Sequence, residues 1–184
     1  MARTALLGAG LALIGLALAL PAAAGASTSG LIAPPSACPG QSDRAAGAAA
    51  QVRAMRCMTN YARASRGKQS LVAVRPLRRA ARGKAADILR CDEFDHSPCG
   101  RDFTYWFERV GYAGRCTAMG ENIAWGTGSL GSVRAIFAAW IRSPGHRANI
   151  FGPYAEIGIW VRVGTLEGNP GARVWTQEFG SRSC

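Results

Sequence analysis

Apolar residues recur every three or four positions in the first half of the chain, the spacing of one face of an α-helix. A first stripe ends before Gly67, and a second follows Pro76, a residue favoured in the first turn of a helix. Both stripes predict amphipathic helices with arginines on the outer face. The first consists of Val52, Met55, Met58 and Ala62, and the second of Leu77, Ala80, Ala81, Ala85 and Ile88.

Three shorter helices are predicted further along the chain. One covers Thr104 to Val110 and stops at Gly111. The clearest has apolar residues at i, i+3, i+4, i+7 and i+8 and ends at Ser143; a helical turn over residues 146–150 follows it. The stripe of that clearest helix is Val133, Ile136, Phe137, Trp140 and Ile141.

Strands are predicted late in the chain, where apolar and other residues alternate with a period of two. Two such runs, residues 157–163 and 173–179, flank a segment rich in glycine, asparagine and proline, and predict a hairpin with a long loop over residues 164–171. Residues 123–125 are a third, shorter strand candidate. Helices combined with an antiparallel sheet predict an α+β sandwich.

The N-terminus is predicted to be a signal peptide of residues 1–24. Arg3 precedes an unbroken apolar run from Ala5 to Leu20, and small residues follow at the processing point. A transmembrane helix is the alternative, but the run is shorter than the ~20 residues that span a bilayer and no charge closes it. We therefore expect a secreted chain, released or kept at the cell wall, with an irregular lead-in over residues 25–47 and one domain over residues 48–184.

All six cysteines follow the predicted cleavage point, which favours three disulfides in an exported chain. Six cysteines allow 15 pairings, and the alternatives stay open from sequence alone. The absence of any Cys-x-x-Cys pair argues against a thiolate metal cluster. Ordered by sequence distance, the favoured pairs are Cys91–Cys99, Cys38–Cys57 and then Cys116–Cys184.

The chain carries a net charge of +11, and its basic residues are all arginine except Lys68 and Lys84. A strong positive field favours polyanions such as acidic wall polymers. An arginine excess also follows from GC-rich coding, and these arginines are scattered along the sequence. Because no basic stripe with interleaved aromatic residues is recognisable, no nucleic-acid partner is predicted.

Three residues are candidates for site chemistry. The only histidines, His96 and His146, lie beside small or turn-forming residues, where functional loops are common. Glu121 opens an apolar segment, where a buried carboxylate needs a partner; the alternative is a carboxylate that ties a loop through backbone hydrogen bonds. The signatures His-Glu-x-x-His and Gly-x-Ser-x-Gly are absent, and no catalytic residue is predicted.

Five short blocks follow one another between Cys57 and Gly180. They are Phe94-Asp95-His96-Ser97, Gly120-Glu121-Asn122-Ile123-Ala124-Trp125, Trp140 with Ser143-Pro144-Gly145-His146-Arg147-Ala148-Asn149-Ile150, Glu156-Ile157-Gly158-Ile159, and Trp175-Thr176-Gln177-Glu178-Phe179-Gly180. Each block is weak alone, whereas five in this order are specific. So ordered, they resemble the bacterial branch of the CAP (or SCP) superfamily of cysteine-rich exported proteins.

The resemblance implies a three-layer α-β-α sandwich with a central antiparallel sheet. It also implies a cleft of two histidines and two acidic residues that binds a divalent metal in some relatives. Carried over, His96, Glu121 and His146 take three of the four places, a ligand set that suits zinc or another divalent metal with an open position.

The fourth member of that cleft departs from the family pattern. The acid expected about one turn after Trp140 falls near Ser143, and no Asp or Glu lies between Gly131 and Tyr154. Glu108 and Glu156 are the acids that could replace it in space.

Three functions fit these observations. The first is a monomeric, non-enzymatic extracellular binding protein for a lipid, a glycan or another protein, as the resemblance implies. The second is a metal-assisted hydrolase or peptidase with Glu121 as base. The third is a basic protein that adheres to acidic cell-wall polymers through arginine.

Overall fold

The computed structural model describes residues 29–114 and 117–182, so the predicted signal peptide and the Cys116–Cys184 pair lie outside the described residues. The helices are α1 (Ala48–Ala64), α2 (Arg75–Cys91), α3 (Tyr105–Arg109), α4 (Val133–Arg142) and α5 (Pro144–Ile150). The strands are β1 (Val72–Ala73), β2 (Thr117–Gly126), β3 (Glu156–Leu166) and β4 (Asn169–Arg182).

Every predicted helical segment forms, and the local chemistry explains the boundaries. α2 has Pro76 in its first turn and ends at Asp92, whose φ of 54° is left-handed. α4 begins where the Ser132 hydroxyl accepts a hydrogen bond from the backbone N–H of Ala135. Of the helices in the described ranges, none has the length and hydropathy needed to cross a bilayer.

The strands form one sheet in the order β1-β3-β4-β2. β2, β3 and β4 are antiparallel, as predicted, whereas the two-residue β1 adds a parallel pairing to β3 that the sequence pattern did not indicate. β2 also extends well beyond the predicted residues 123–125.

Helices cover both faces of the sheet and confirm the α-β-α sandwich. α1 and α4 bury their apolar stripes against one face, which includes Ile157, Ile159 and Trp175. α2 packs on the other face, where Thr176 Oγ1 donates to the carbonyl of Ala81 at 2.8 Å. Alternate residues of β4 therefore serve two separate cores.

The connection between β3 and β4 corrects the long loop predicted over residues 164–171. The strands pair as far as Leu166 and Asn169, so that only Glu167 and Gly168 lie between them. Both of these residues have positive φ, 48° and 74°, as in a type I′ hairpin turn. The glycine, asparagine and proline residues pointed to a longer loop, but Gly164 lies within β3, and Asn169, Pro170 and Gly171 lie within β4.

The lead-in before α1 packs onto the domain. Leu31, Ala33 and Cys38 are buried in the α1–α4 core. The predicted disulfides Cys38–Cys57 and Cys91–Cys99 are confirmed, with Cα–Cα distances of 5.7 and 5.5 Å. No cysteine of the described ranges is free.

Candidate functional site

An open cleft of about 470 Å³ lies at the β2 edge of the sheet, where β2, α5 and the segment between α2 and α3 meet. It contains all three residues that the sequence singled out. Besides two glycines, its lining consists of His96, Phe103, Glu121, Ser143, His146 and Asn149.

Amide side chains join α5 to β2 and fix the cleft's geometry. Asn149 Nδ2 donates to the Glu121 carbonyl at 2.9 Å and to Asn122 Oδ1 at 3.0 Å. Asn122 Nδ2 donates in turn to the His146 carbonyl at 3.1 Å. Because both asparagines are engaged in this way, the backbone of Glu121 and that of His146 are held in fixed relation across the cleft.

The carboxylate of Glu121 has two partners, which answers the question that its position in an apolar segment raised. His96 Nδ1 donates to Glu121 Oε1 at 2.6 Å, and Lys84 Nζ lies 3.2 Å from Oε2. The hydrogen bond to Glu121, opposed by burial, raises the pKa of the His96 imidazole. Glu121 is therefore the centre of a buried charge network and not a loop-tying carboxylate.

Lys84 is the member of this network that the sequence reasoning missed. Its side chain is only 2 % exposed, and its ammonium group also donates to the His96 carbonyl. The signal was present, because Lys84 lies four residues after Ala80 and four before Ile88, in the middle of the apolar stripe of α2. A lysine at such a position requires a buried anion as its partner.

Glu178 is the second acid beside Glu121, and it also was not predicted. The two glutamates are directly opposite each other on β2 and β4, so their side chains share the α2 face of the sheet. Glu178 is fully buried, and no group of the described ranges other than the Glu121 carboxylate is placed to hydrogen-bond its carboxyl oxygens. Burial, together with the charge of Glu121, raises the pKa of Glu178 well above its ordinary value.

A raised pKa at Glu178 predicts a pH-dependent gain in stability for Glu178→Gln. The folded state holds this proton more tightly than the unfolded state, so the wild type loses stability as the pH rises above about 4.5, the ordinary carboxyl value. The glutamine variant lacks this loss. We expect it to match the wild type near pH 4 and to exceed it by about 1–3 kcal/mol at pH 8, measured by urea unfolding.

The exposed turn residue Glu167 supplies the control for this measurement, since Glu167→Gln removes a carboxylate outside the network. A Glu178→Gln variant that is less stable than the wild type throughout the pH range would mean that the Glu178 anion is needed by Lys84.

His146 is half-buried on α5 and packs against Trp140, with ring centroids 6.5 Å apart. Burial, and next the nearby His96, lower its pKa, so its imidazole is neutral at physiological pH. Neither ring nitrogen has a hydrogen-bond partner among the described residues. The cleft therefore offers a neutral imidazole that can both donate and accept.

The fourth-acid candidates lie elsewhere. Glu108 is exposed and accepts a hydrogen bond from Thr104 Oγ1, while Glu156 bonds Tyr112 and Arg182. Neither lines the cleft, so neither replaces the missing acid there. Ser143 does line the cleft at the family's acid position.

A metal ion does not fit the arrangement that these side chains adopt. In the described ranges, no group of three His, Cys, Asp or Glu side chains is disposed to hold one. The reason is local: the Lys84 ammonium and the His96 N–H already engage the two carboxylate oxygens of Glu121. Zinc binding by His96, Glu121 and His146 stays a prediction.

Comparison with known proteins agrees with this fold. Residues 43–179 match the model of the CAP family, described as the cysteine-rich secretory protein family. The chain is 32% identical over 125 residues to the uncharacterized protein YkwD of Bacillus subtilis (strain 168), a match that covers 66% of this chain and 44% of that protein. It thus spans less than half the length of that relative.

Solved structures of low identity share the fold. An extracellular protein containing a SCP domain from Bacillus anthracis str. Ames has a TM-score of 0.56 at 19% identity, over 72% of this chain and 40% of that one. An outer surface protein from Borrelia burgdorferi has a TM-score of 0.57 at 17% identity, over 70% of this chain and 90% of that one.

Proposed function

This chain belongs to the CAP family of cysteine-rich secretory proteins, and from that premise we propose that it is an exported, non-enzymatic protein that binds an uncharged polar ligand, of the glycan class, in its cleft. The observation that carries the proposal is the internal neutralisation of Glu121. Its carboxylate faces the cleft already paired with Lys84 and hydrogen-bonded to His96. The cleft therefore presents little uncompensated charge to a ligand.

Hydrolysis is less well supported than binding. A general base must be within reach of the proton it abstracts, and the Glu121 oxygens have His96 and Lys84 as partners instead. Among the described residues, no histidine is hydrogen-bonded to Ser143, so this serine has no general base to activate it as a nucleophile. The described cysteines are all in disulfides. We infer that the cleft binds a ligand without transforming it.

The remaining groups of the cleft suit a glycan. The neutral His146 imidazole and the outer nitrogen of His96 can each bond a hydroxyl or an amide group. Phe103 adds an apolar surface for a sugar ring, and its own ring is supported by Phe107, with centroids 5.5 Å apart. A volume of about 470 Å³ lies within the range of small-ligand sites and accommodates one or two sugar units.

Export is part of the proposal. Two disulfides in one small domain are typical of proteins that fold in oxidising compartments. Two of the structural relatives are, by their names, an extracellular and an outer surface protein. We propose that this chain acts outside the cytoplasm as a monomer.

The test is a calorimetric titration of the mature chain with chitotetraose, an uncharged oligosaccharide of N-acetylglucosamine. His146→Phe keeps the ring that packs on Trp140 and removes both ring nitrogens. Losing one hydrogen bond to the ligand should weaken binding about tenfold, which corresponds to ~1.4 kcal/mol. Thr165→Val, at the far end of β3, removes a polar group outside the cleft and should leave affinity unchanged.

A zinc titration of the same proteins distinguishes glycan binding from the alternative that the cleft binds a metal ion. Zinc binding that is lost in His96→Asn and in His146→Phe, without any oligosaccharide binding by the wild type, would replace the glycan proposal with a metal site. Equal oligosaccharide affinity in His146→Phe and Thr165→Val would place the ligand outside the cleft and contradict the proposal.

A further inference from the structure

The two edges of the sheet differ in how their backbone groups are covered. On the β2 edge, Trp140 Nε1 donates to the Ile123 carbonyl at 3.1 Å and Asn149 covers the Glu121 carbonyl. On the opposite edge, β1 pairs with β3 only at Glu156 and Ile157. From Gly158 onward, β3 has no strand partner on that side in the described part of the chain.

A groove follows this open edge between α1 and α2. It consists of two cavities of about 400 and 410 Å³ that share Trp160 as a lining residue. Residues 157–163 of β3 form its floor, and Val52 and Val74 add apolar surface at one end. Seven residues of β-strand span about 20 Å, so the groove is long as well as open.

Arginine dominates the walls of this groove. Eight arginines line the two cavities, and no Asp or Glu does. None of the eight forms an ion pair with a carboxylate among the described residues. They occur along the whole length and on both sides, including Arg53 and Arg56 on α1, Arg75, Arg78 and Arg82 on α2, and Arg162 on β3.

The open edge adds backbone donors to this positive charge. The N–H of Val74 donates to the Ile157 carbonyl at 3.1 Å, so residue 157 directs its backbone groups outward. Because outward and inward residues alternate along a strand, Ile159, Val161 and Val163 direct both their N–H donors and their C=O acceptors to the same side. All three residues line the groove.

We propose that this groove binds a linear phosphodiester polymer in an extended conformation, at a site separate from the cleft. Guanidinium groups bind phosphate oxygens in a bidentate manner. In a phosphodiester polymer the negative charges lie on the backbone itself at regular intervals, and the eight arginines are likewise spread along the groove. In an acidic polypeptide each carboxylate instead lies at the end of a flexible side chain. This surface gathers eight of the chain's twenty arginines along one path.

Two other anionic ligands fit the groove less well. A fatty acid or lipid needs an enclosed apolar channel with charged residues only at its entrance. Here the arginines are spread along the whole length of an open groove. A nucleic acid would use aromatic rings as stacking surfaces for its bases. The one aromatic ring among the described residues that line the groove, Trp160, has the Arg82 guanidinium over it, 5.4 Å from the ring centroid.

The experiment uses fluorescein-labelled poly(glycerol phosphate) of about twelve units, with fluorescence anisotropy at about 50 mM and about 150 mM NaCl. Arg53→Gln combined with Arg78→Gln removes one cation from each wall. Losing two phosphate contacts should lower affinity at least ~tenfold at the lower salt concentration and should flatten the salt dependence. Arg79→Gln combined with Arg142→Gln removes the same charge outside the groove and should lower affinity less than ~threefold.

Two competing polymers and one cleft variant test what the groove recognises and whether it acts independently of the cleft. Poly-glutamate and oligothymidylate of matched charge should bind at least ~tenfold more weakly than poly(glycerol phosphate), because the first has no phosphate and the bases of the second find no free aromatic ring among the described residues of the groove. Equal loss in the two double variants would reduce the interaction to net charge and overturn the proposal, as would tighter binding of either competitor. His146→Phe should leave polymer affinity unchanged, so failure of the groove and failure of the cleft are seen separately.

Discussion

Methionine in place of Lys84 is expected to lower the free energy of unfolding by about 3–5 kcal/mol, because it leaves the carboxylate of Glu121 buried without its cation. The side chains of Lys84 and Glu121 are 2 % and 1 % exposed, so water cannot replace the lost partner. Glu178 on the adjacent strand is a second acid and supplies no cation in place of Lys84. Urea unfolding at neutral pH measures the loss.

The chain provides a matched control for this substitution in its only other lysine. Lys68 is exposed after the end of α1, and Lys68→Met should change stability by less than about 0.5 kcal/mol. In the double variant Lys84→Met with Glu121→Gln, the unpaired charge is removed, and most of the lost stability should return. Equal stability of Lys84→Met and Lys68→Met would mean that Glu121 does not depend on Lys84.

The periodic elements were predictable because their signal is local. The stripe of α4, from Val133 to Ile141, has the helical spacing, and Ser132 before it supplies the N-cap. β1 was not predictable, since Val72 and Ala73 become a strand only through pairing with Glu156 and Ile157, which lie far away along the chain. Such pairing is a tertiary property that no local pattern carries.

The candidate site was likewise predictable only in part. His96, Glu121 and His146 were found from motifs, and the structure brings all three to one cleft. The charges around these residues could not be predicted without the register of the sheet, because Glu178 lies beside Glu121 only through the pairing of β2 with β4. Lys84 could have been noticed as a charge on an apolar stripe, but the identity of its partner depends on how α2 lies on the sheet.

Gly158→Ala is expected to destabilise the domain by about 3 kcal/mol or more, because the first turn of α2 rests on β3 at this residue. A Cβ at Gly158 would lie 2.0 Å from the carbonyl carbon of Leu77 and 2.2 Å from its oxygen. These are backbone atoms, so α2 as a whole must move away from the sheet. Gly145→Ala on α5, where a new Cβ meets nothing within 4 Å, is the control and should cost less than about 0.5 kcal/mol.

The same substitution tests whether α2 couples the two sites. This helix contributes Lys84 to the network beneath the cleft and Arg75 and Arg78 to the groove. Displacement of α2 should therefore weaken oligosaccharide and polymer binding together, whereas His146→Phe weakens only the first and the Arg53→Gln, Arg78→Gln pair only the second. A Gly158→Ala variant with wild-type stability by urea unfolding would contradict the close packing of α2 on β3, and with it the common dependence of cleft and groove on that contact.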